Sequence, residues 1–229
     1  MWIELRKSLL TAATLLCMAG PSNADTILKF GLSETGPDVE YDGTTFSTVD
    51  DGDASTLGEQ NTGFNFTGPL DGVIADIFAN ASFTLSNVLA SGAAQVVSNT
   101  VVQASTGGSF SAYDENNNLL LSGSIADGAL TGSTGSSTGS YFNLNTVTFT
   151  GGSLLPFLIA DSGGISIAMS GILSQGGVPS LVVNNGVLAP FSGNSTGLVD
   201  GQGAIPEPAT ALLLVSGAIG AAIRRRKAS

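Results

Sequence analysis

Carboxylates are the one chemically versatile side chain that this sequence supplies in quantity. The densest run is Asp50-Asp51-Gly52-Asp53-Ala54-Ser55, with Glu59 six residues past Asp53. Clustered carboxylates on a glycine-containing loop offer the hard oxygen ligands that Ca2+ prefers. The spacing is not that of an EF-hand: counted from Asp51, Thr56 stands where glycine belongs and Thr62 where glutamate belongs. A solvated acidic turn is the simpler reading of the same run. Asp50, Asp51, Asp53 and Glu59 therefore stand as a calcium candidate, and no other cofactor is expected. Two carboxylates are also enough for glycoside hydrolysis. Sugar sites, however, favour aromatic platforms and cationic donors, which this chain scarcely has.

Other chemistries fail on residue type. The chain has no histidine, and its one cysteine is Cys17. Ser-His-Asp and Cys-His sites are thereby excluded, and zinc and copper lose their usual ligands. Between residues 25 and 205 the only cation is Lys29, against 16 carboxylates. Phosphate cradles need Lys or Arg beside their glycines. Nucleic acid binding needs cations to displace counterions from phosphates, so a nucleic acid partner is excluded. The single tryptophan, Trp2, lies at the extreme N-terminus.

The remaining cations mark the two ends. Arg6 and Lys7 precede an apolar run from Leu9 to Gly20, Pro21 follows, and Ser22-Asn23-Ala24 puts small residues at −3 and −1. This is the three-part pattern of a signal peptide, residues 1–24, cut by signal peptidase between Ala24 and Asp25. A buried N-terminal helix fits less well. Lipidation at Cys17 is disfavoured because bulky Leu16 precedes it. At the other end, Pro206-Glu207-Pro208 is followed by an uncharged run from Ala209 to Ile223 and then by Arg224, Arg225, Arg226 and Lys227. As a helix, that run would rise about 22 Å against a hydrocarbon core of about 30 Å. A short transmembrane helix is expected here, a marginal span that requires arginine stems to snorkel and the bilayer to thin. The basic cluster would stop in the cytoplasm, with the body outside.

In its order and its terminal position, residues 205–229 resemble the PEP-CTERM sorting signal of Gram-negative bacteria. The resemblance implies recognition by an exosortase, a membrane transpeptidase-like enzyme, with cleavage near Pro206 to Pro208. It also implies association with exopolysaccharide, biofilm or floc matrix. In that reading Pro206, Glu207 and Pro208 are substrate residues for another enzyme. The destination would be the periplasm, cell surface or exterior after transient anchoring in the inner membrane.

The body between the ends is rich in glycine, with 31 in the whole chain, and alternates in period two between turn signals. Strands are expected at Thr26–Ser33, Thr44–Val49, Thr62–Thr67, around Phe83 and Leu85, at Gln95–Ala104, and in a hairpin of Ser109–Tyr113 with Leu119–Ile125. Further strands are expected at Tyr141–Thr150, with Phe142, Leu144 and Thr146 on one face, and at Ile165–Ser170. Leu181–Val183 and Val187–Phe191 complete the set. Asp114-Glu115-Asn116-Asn117-Asn118 is the hairpin turn. The stretch from Gly107 through Leu155 loosely resembles segments of other exported proteins bearing this tail. Val73–Ala79 is the one helix candidate, and Thr131–Ser140 reads as a loop. The expectation is an all-β fold, an antiparallel β-sandwich or barrel-like acidic domain at 25–191, with a Gly-rich linker at 192–204. Functionally, the leading expectation is a non-enzymatic envelope or matrix protein. The alternative is a carbohydrate or small-ligand binding module that presents Tyr113 or Tyr141 in a concavity. A hydrolase would require two carboxylates converging in a cleft.

Overall fold

The computed structural model describes residues 24–31, 37–49 and 59–204. The expected signal peptide and C-terminal helix lie outside them. Among the described residues, no helix is long and apolar enough to cross a membrane. The chain runs β1 (Asp25–Gly31), β2 (Val39–Tyr41), β3 (Thr45–Thr48), β4 (Glu59–Phe66), β5 (Ile77–Ser86), β6 (Val88–Val97) and β7 (Thr100–Thr106). It continues through β8 (Ser109–Tyr113), β9 (Leu119–Ser133), β10 (Ser140–Gly151), β11 (Gly163–Ser174), β12 (Val183–Asn184), β13 (Val187–Leu188) and β14 (Phe191–Gly201). Short 3-10 turns at Gly68–Leu70, Leu155–Phe157 and Ala160–Ser162 interrupt the strands.

Strands β9, β10, β11 and β14 pair side by side and are shared by two closed circuits. One circuit continues from Leu119–Ser124 of β9 into β8, β5, β4 and β1, and closes through the pairing of β1 with Thr196–Gly201 of β14. The other continues from Asp127–Ser133 of β9 into β7, β6, β3 and β2, and closes on Phe191–Gly193 of β14. All these pairs are antiparallel. Closure removes the free edges at which an open sheet would aggregate. At the seam, the Leu85 amide of β5 donates to the Thr48 hydroxyl of β3 at 2.8 Å.

The aromatic rings form two groups within one continuous hydrophobic core. In the first, Phe30 stacks on Phe83 at 4.1 Å between centroids, Phe83 lies 6.0 Å from Phe110, and Phe110 meets Phe149 edge-on. In the second, Tyr41 stacks on Phe46 at 4.4 Å, and Phe46 packs on Phe142 at 4.6 Å with Phe191 beside them. Burial, and secondarily the Asp42 carboxylate, push the Tyr41 phenol above its ordinary pKa. Each such ring removes roughly 1.5–3 kcal/mol worth of apolar surface from water. Alternation in the lining strands supplies these rings: β7 reads exposed-buried throughout its length, and Ile165, Ile167 and Met169 of β11 face inward.

Several expectations need correction. Residues 192–204, expected as a linker, instead form most of β14, which pairs with β1, β2 and β11. The body therefore continues past Phe191. Val73–Ala79 is no helix: a turn follows Leu70, and β5 begins at Ile77. Its apolar residues mimic helical spacing, but Asn80 at φ 61° breaks the strand's own alternation. Gln95–Ala104 is two strands, turned at Ser98, whose φ is 58°. The expected loop at Thr131–Ser140 narrows to 134–139, because β9 persists to Ser133. Thr146 does not share a face with Phe142 and Leu144. A bulge between Leu144 and Val147 resets the register, so that Thr146 is exposed while Val147 and Phe149 point inward.

Candidate functional site

The candidate site is the end of the fold at which the chain enters and leaves it. Asp25, the expected first mature residue, opens β1 directly opposite Gly201 near the close of β14. The Thr26 hydroxyl donates to the Asp200 carboxylate at 2.9 Å. The turn after β4 is tied to the same strand start, since the Thr67 amide donates to the Ile27 carbonyl at 3.0 Å and the Thr67 hydroxyl to the Thr26 carbonyl at 2.7 Å. Both expected processing points, at Ala24–Asp25 and just beyond Ala204, thus flank one end of one circuit.

The segment between β10 and β11 straps the outgoing chain. Pro156 sits in the first turn of the 3-10 segment Leu155–Phe157, where a residue without an amide hydrogen loses no bond. The Ser153 and Leu154 amides donate to the Leu119 and Leu120 carbonyls at 3.1 and 3.0 Å, anchoring the strap to β9. Leu154 and Leu158 are buried beneath it. Leu158 bridges antiparallel to Gly203. The Ile159 amide donates to the Gln202 carbonyl at 2.8 Å, and the Ala204 amide to the Phe157 carbonyl at 2.8 Å. The Gln202 amide donates to the Ser162 hydroxyl at 2.8 Å, and that hydroxyl donates to the Ile159 carbonyl at 2.7 Å. The chain is thereby held to within two residues of Pro206. Sequence reasoning missed this strap, for which the run Leu154-Leu155-Pro156-Phe157-Leu158-Ile159 was the available signal.

Two further carboxylates at this end, Asp76 and Asp114, have structural partners. Asp76 accepts the Phe66 amide at 2.8 Å and the Asn65 side-chain amide at 2.6 Å. Asp114 accepts the Asn116 and Asn118 amides at 2.9 and 2.7 Å and the Asn118 side chain at 2.9 Å. The Asn118 side chain, then the Asn118 and Asn116 amides, hold Asp114 below the ordinary aspartate range. A concavity of about 480 Å³ is lined by Asn65, Thr67, Asp71 and Asp76, and a neighbouring one of about 410 Å³ by Ile74, Phe78, Asp114 and Glu115. Neither Tyr113 nor Tyr141 lines these two concavities. Tyr141 stands 53 % exposed on the outer face of β10. A buried carboxyl that sequence reasoning also missed is Asp38, which precedes β2 and accepts the Ser195 amide of β14.

Of the calcium candidates, Asp50, Asp51 and Asp53 lie outside the described residues. The Glu59 backbone opens β4 opposite Phe83. Among the described residues, no group of three or more acidic, Cys or His side chains gathers as a metal site. Pro206, Glu207, Pro208 and the Arg224–Lys227 cluster also lie outside the described residues.

Neither a curated protein nor a solved structure matches the chain. A family model does: residues 204–227 match the PEP-CTERM protein-sorting motif, starting at the residue whose amide the strap holds. The chain thus carries a PEP-CTERM protein-sorting motif at residues 204–227, a tail that marks proteins for export and exosortase-mediated processing at the membrane.

Proposed function

We propose that this is a non-enzymatic envelope or matrix protein whose closed β-body is the cargo and whose tail is the delivery device. The observation that carries the reading is the sorting motif at residues 204–227, following directly on a folded acidic body. Signal peptidase releases the front at Ala24–Asp25. The apolar run Ala209–Ile223 holds the chain in the inner membrane against Arg224, Arg225, Arg226 and Lys227 until an exosortase cuts near Pro206–Pro208. The released body then joins exopolysaccharide or biofilm matrix outside the cell. The chemistry of the body supports a passive role, since it contains no imidazole or thiol and carries one lysine among 16 carboxylates. Such charge keeps an exported body soluble and makes its association sensitive to divalent cations. Replacing Pro206, Glu207 and Pro208 together with alanine tests the reading. The variant should accumulate in the membrane fraction at the uncut size, and normal release would contradict the proposal.

A ligand-binding role for the body would use the exposed Tyr141 ring, flanked on β9 and β11 by Thr131 and Ala168. Tyr141→Ala should then lower co-sedimentation with the cells' own polysaccharide without changing the melting temperature. Unchanged co-sedimentation would exclude Tyr141 as that contact.

A further inference from the structure

We propose that the end of the barrel bearing both termini is a lipid-facing surface, seated on the bilayer that receives the tail through Val73, Phe78 and Ile159. The inference rests on the reading that residues 209–223 insert into the membrane. The strap fixes the chain to Ala204, and the apolar run begins five residues later at Ala209. At roughly 3.3–3.6 Å per residue, the tether can span no more than about 18 Å even when fully extended. The body cannot stand away from the membrane on a linker, because the stretch that would have served as one is strand β14. The end nearest the tail must face the lipid.

That end exposes apolar side chains. Phe78 is 90 % exposed, and it alone among the described phenylalanines is an exposed residue. Val73 and Ile159 are 40 % and 44 % exposed. Phe78 shares a concavity with Asn116 and Leu120, and the Leu120 carbonyl anchors the strap that carries Ile159. These residues therefore belong to the same end as Ala204. Ring and aliphatic side chains at such a position suit the headgroup boundary, where apolar area drives shallow insertion. Asp76, Asp114 and Glu115 share a concavity with Phe78, Asp71 lies two residues from Val73 and Asp161 two residues from Ile159, so the matching surface is zwitterionic lipid, and anionic lipid would repel it.

The test places an environment-sensitive fluorophore on single cysteines in the mature chain, residues 25–229, which contains no native cysteine. The positions are Val73→Cys, Phe78→Cys and Ile159→Cys at the tail end, Val97→Cys at the far end, and Ser216→Cys within the tail. The protein is reconstituted in phosphatidylcholine–phosphatidylethanolamine vesicles containing lipid-borne quenchers. Labels at 73, 78 and 159 should be quenched about threefold or more beyond the label at 97, and less so when phosphatidylglycerol is added. Strong quenching at 216 with no excess at 73, 78 and 159 would overturn the seated surface while leaving the membrane tail intact. Absence of quenching at 216 would overturn the insertion on which the proposal rests.

Discussion

Phe30 of β1 sits directly across from Gly197 of β14, and its ring fills the space that a side chain at 197 would need. A Cβ at residue 197 would clash with the Phe30 ring carbon Cζ. The relationship recurs at Phe110 and its cross-strand partner Gly123, where the same Cβ would lie 2.5 Å from the ring. Phe149 likewise covers Gly163 and Gly201. In this fold, glycines in one strand make room for phenylalanines from the next. Gly197→Ala should therefore destabilise the body by about 1–3 kcal/mol through overpacking. Phe30→Ala should cost about 3–5 kcal/mol through the cavity it leaves. Urea denaturation monitored by circular dichroism measures both.

The strap makes a local prediction. Ser162→Ala removes the acceptor of the Gln202 amide without touching the core. Amide exchange at Gln202 should accelerate about fivefold, the equivalent of ~1 kcal/mol, with Ile159 and Ala204 following because they share the bridge. Exchange in β11 should be unchanged. Hydrogen exchange read by NMR checks this.

Asp38 is a buried carboxyl that ties the start of β2 to β14 through the Ser195 amide. Asp38→Ala leaves that amide without its acceptor and should cost about 1–3 kcal/mol. Asp38→Asn keeps an acceptor oxygen and should cost less. Thermal unfolding of the two variants side by side gives the comparison.

Asp114 predicts a pH dependence confined to the acid range. Its folded pKa is lowered, chiefly by the Asn118 side chain, so it binds a proton less readily when folded than when unfolded. Its contribution to stability is fully present above the ordinary aspartate pKa and is lost as pH falls through the lowered folded value. Asp114→Ala should flatten stability against pH below about 4 and leave the dependence above about 6 unchanged. A carboxyl NMR titration should find the Asp114 midpoint below those of exposed aspartates.

The fold was legible where polar and apolar residues alternate in one strand. The β8–β9 hairpin is one case, with its turn at Asp114–Asn118 and Asn117 in the left-handed region at φ 62°. The inward row Ile165, Ile167 and Met169 is another. Strand β14 was illegible for a physical reason. Its sequence, Phe-Ser-Gly-Asn-Ser-Thr-Gly-Leu-Val-Asp-Gly, reads as a linker because Phe30 of β1 and Phe149 of β10 occupy the space above Gly197 and Gly201. The turn at Ser98 was illegible because no glycine or proline marks it. The tail was legible from residue order alone, because the sorting motif at residues 204–227 is a linear pattern. The strap was not, because only the fold brings 154–162 beside 202–204.

Mass spectrometry of the native protein from cells with and without exosortase tests the central claim most directly. With the enzyme present, the account predicts a chain that begins at Asp25 and ends near Pro206–Pro208. Without it, the chain should begin at Asp25 and keep Arg224–Lys227. A protein that begins at Met1, or that retains its basic cluster whether or not the enzyme is present, would contradict the account.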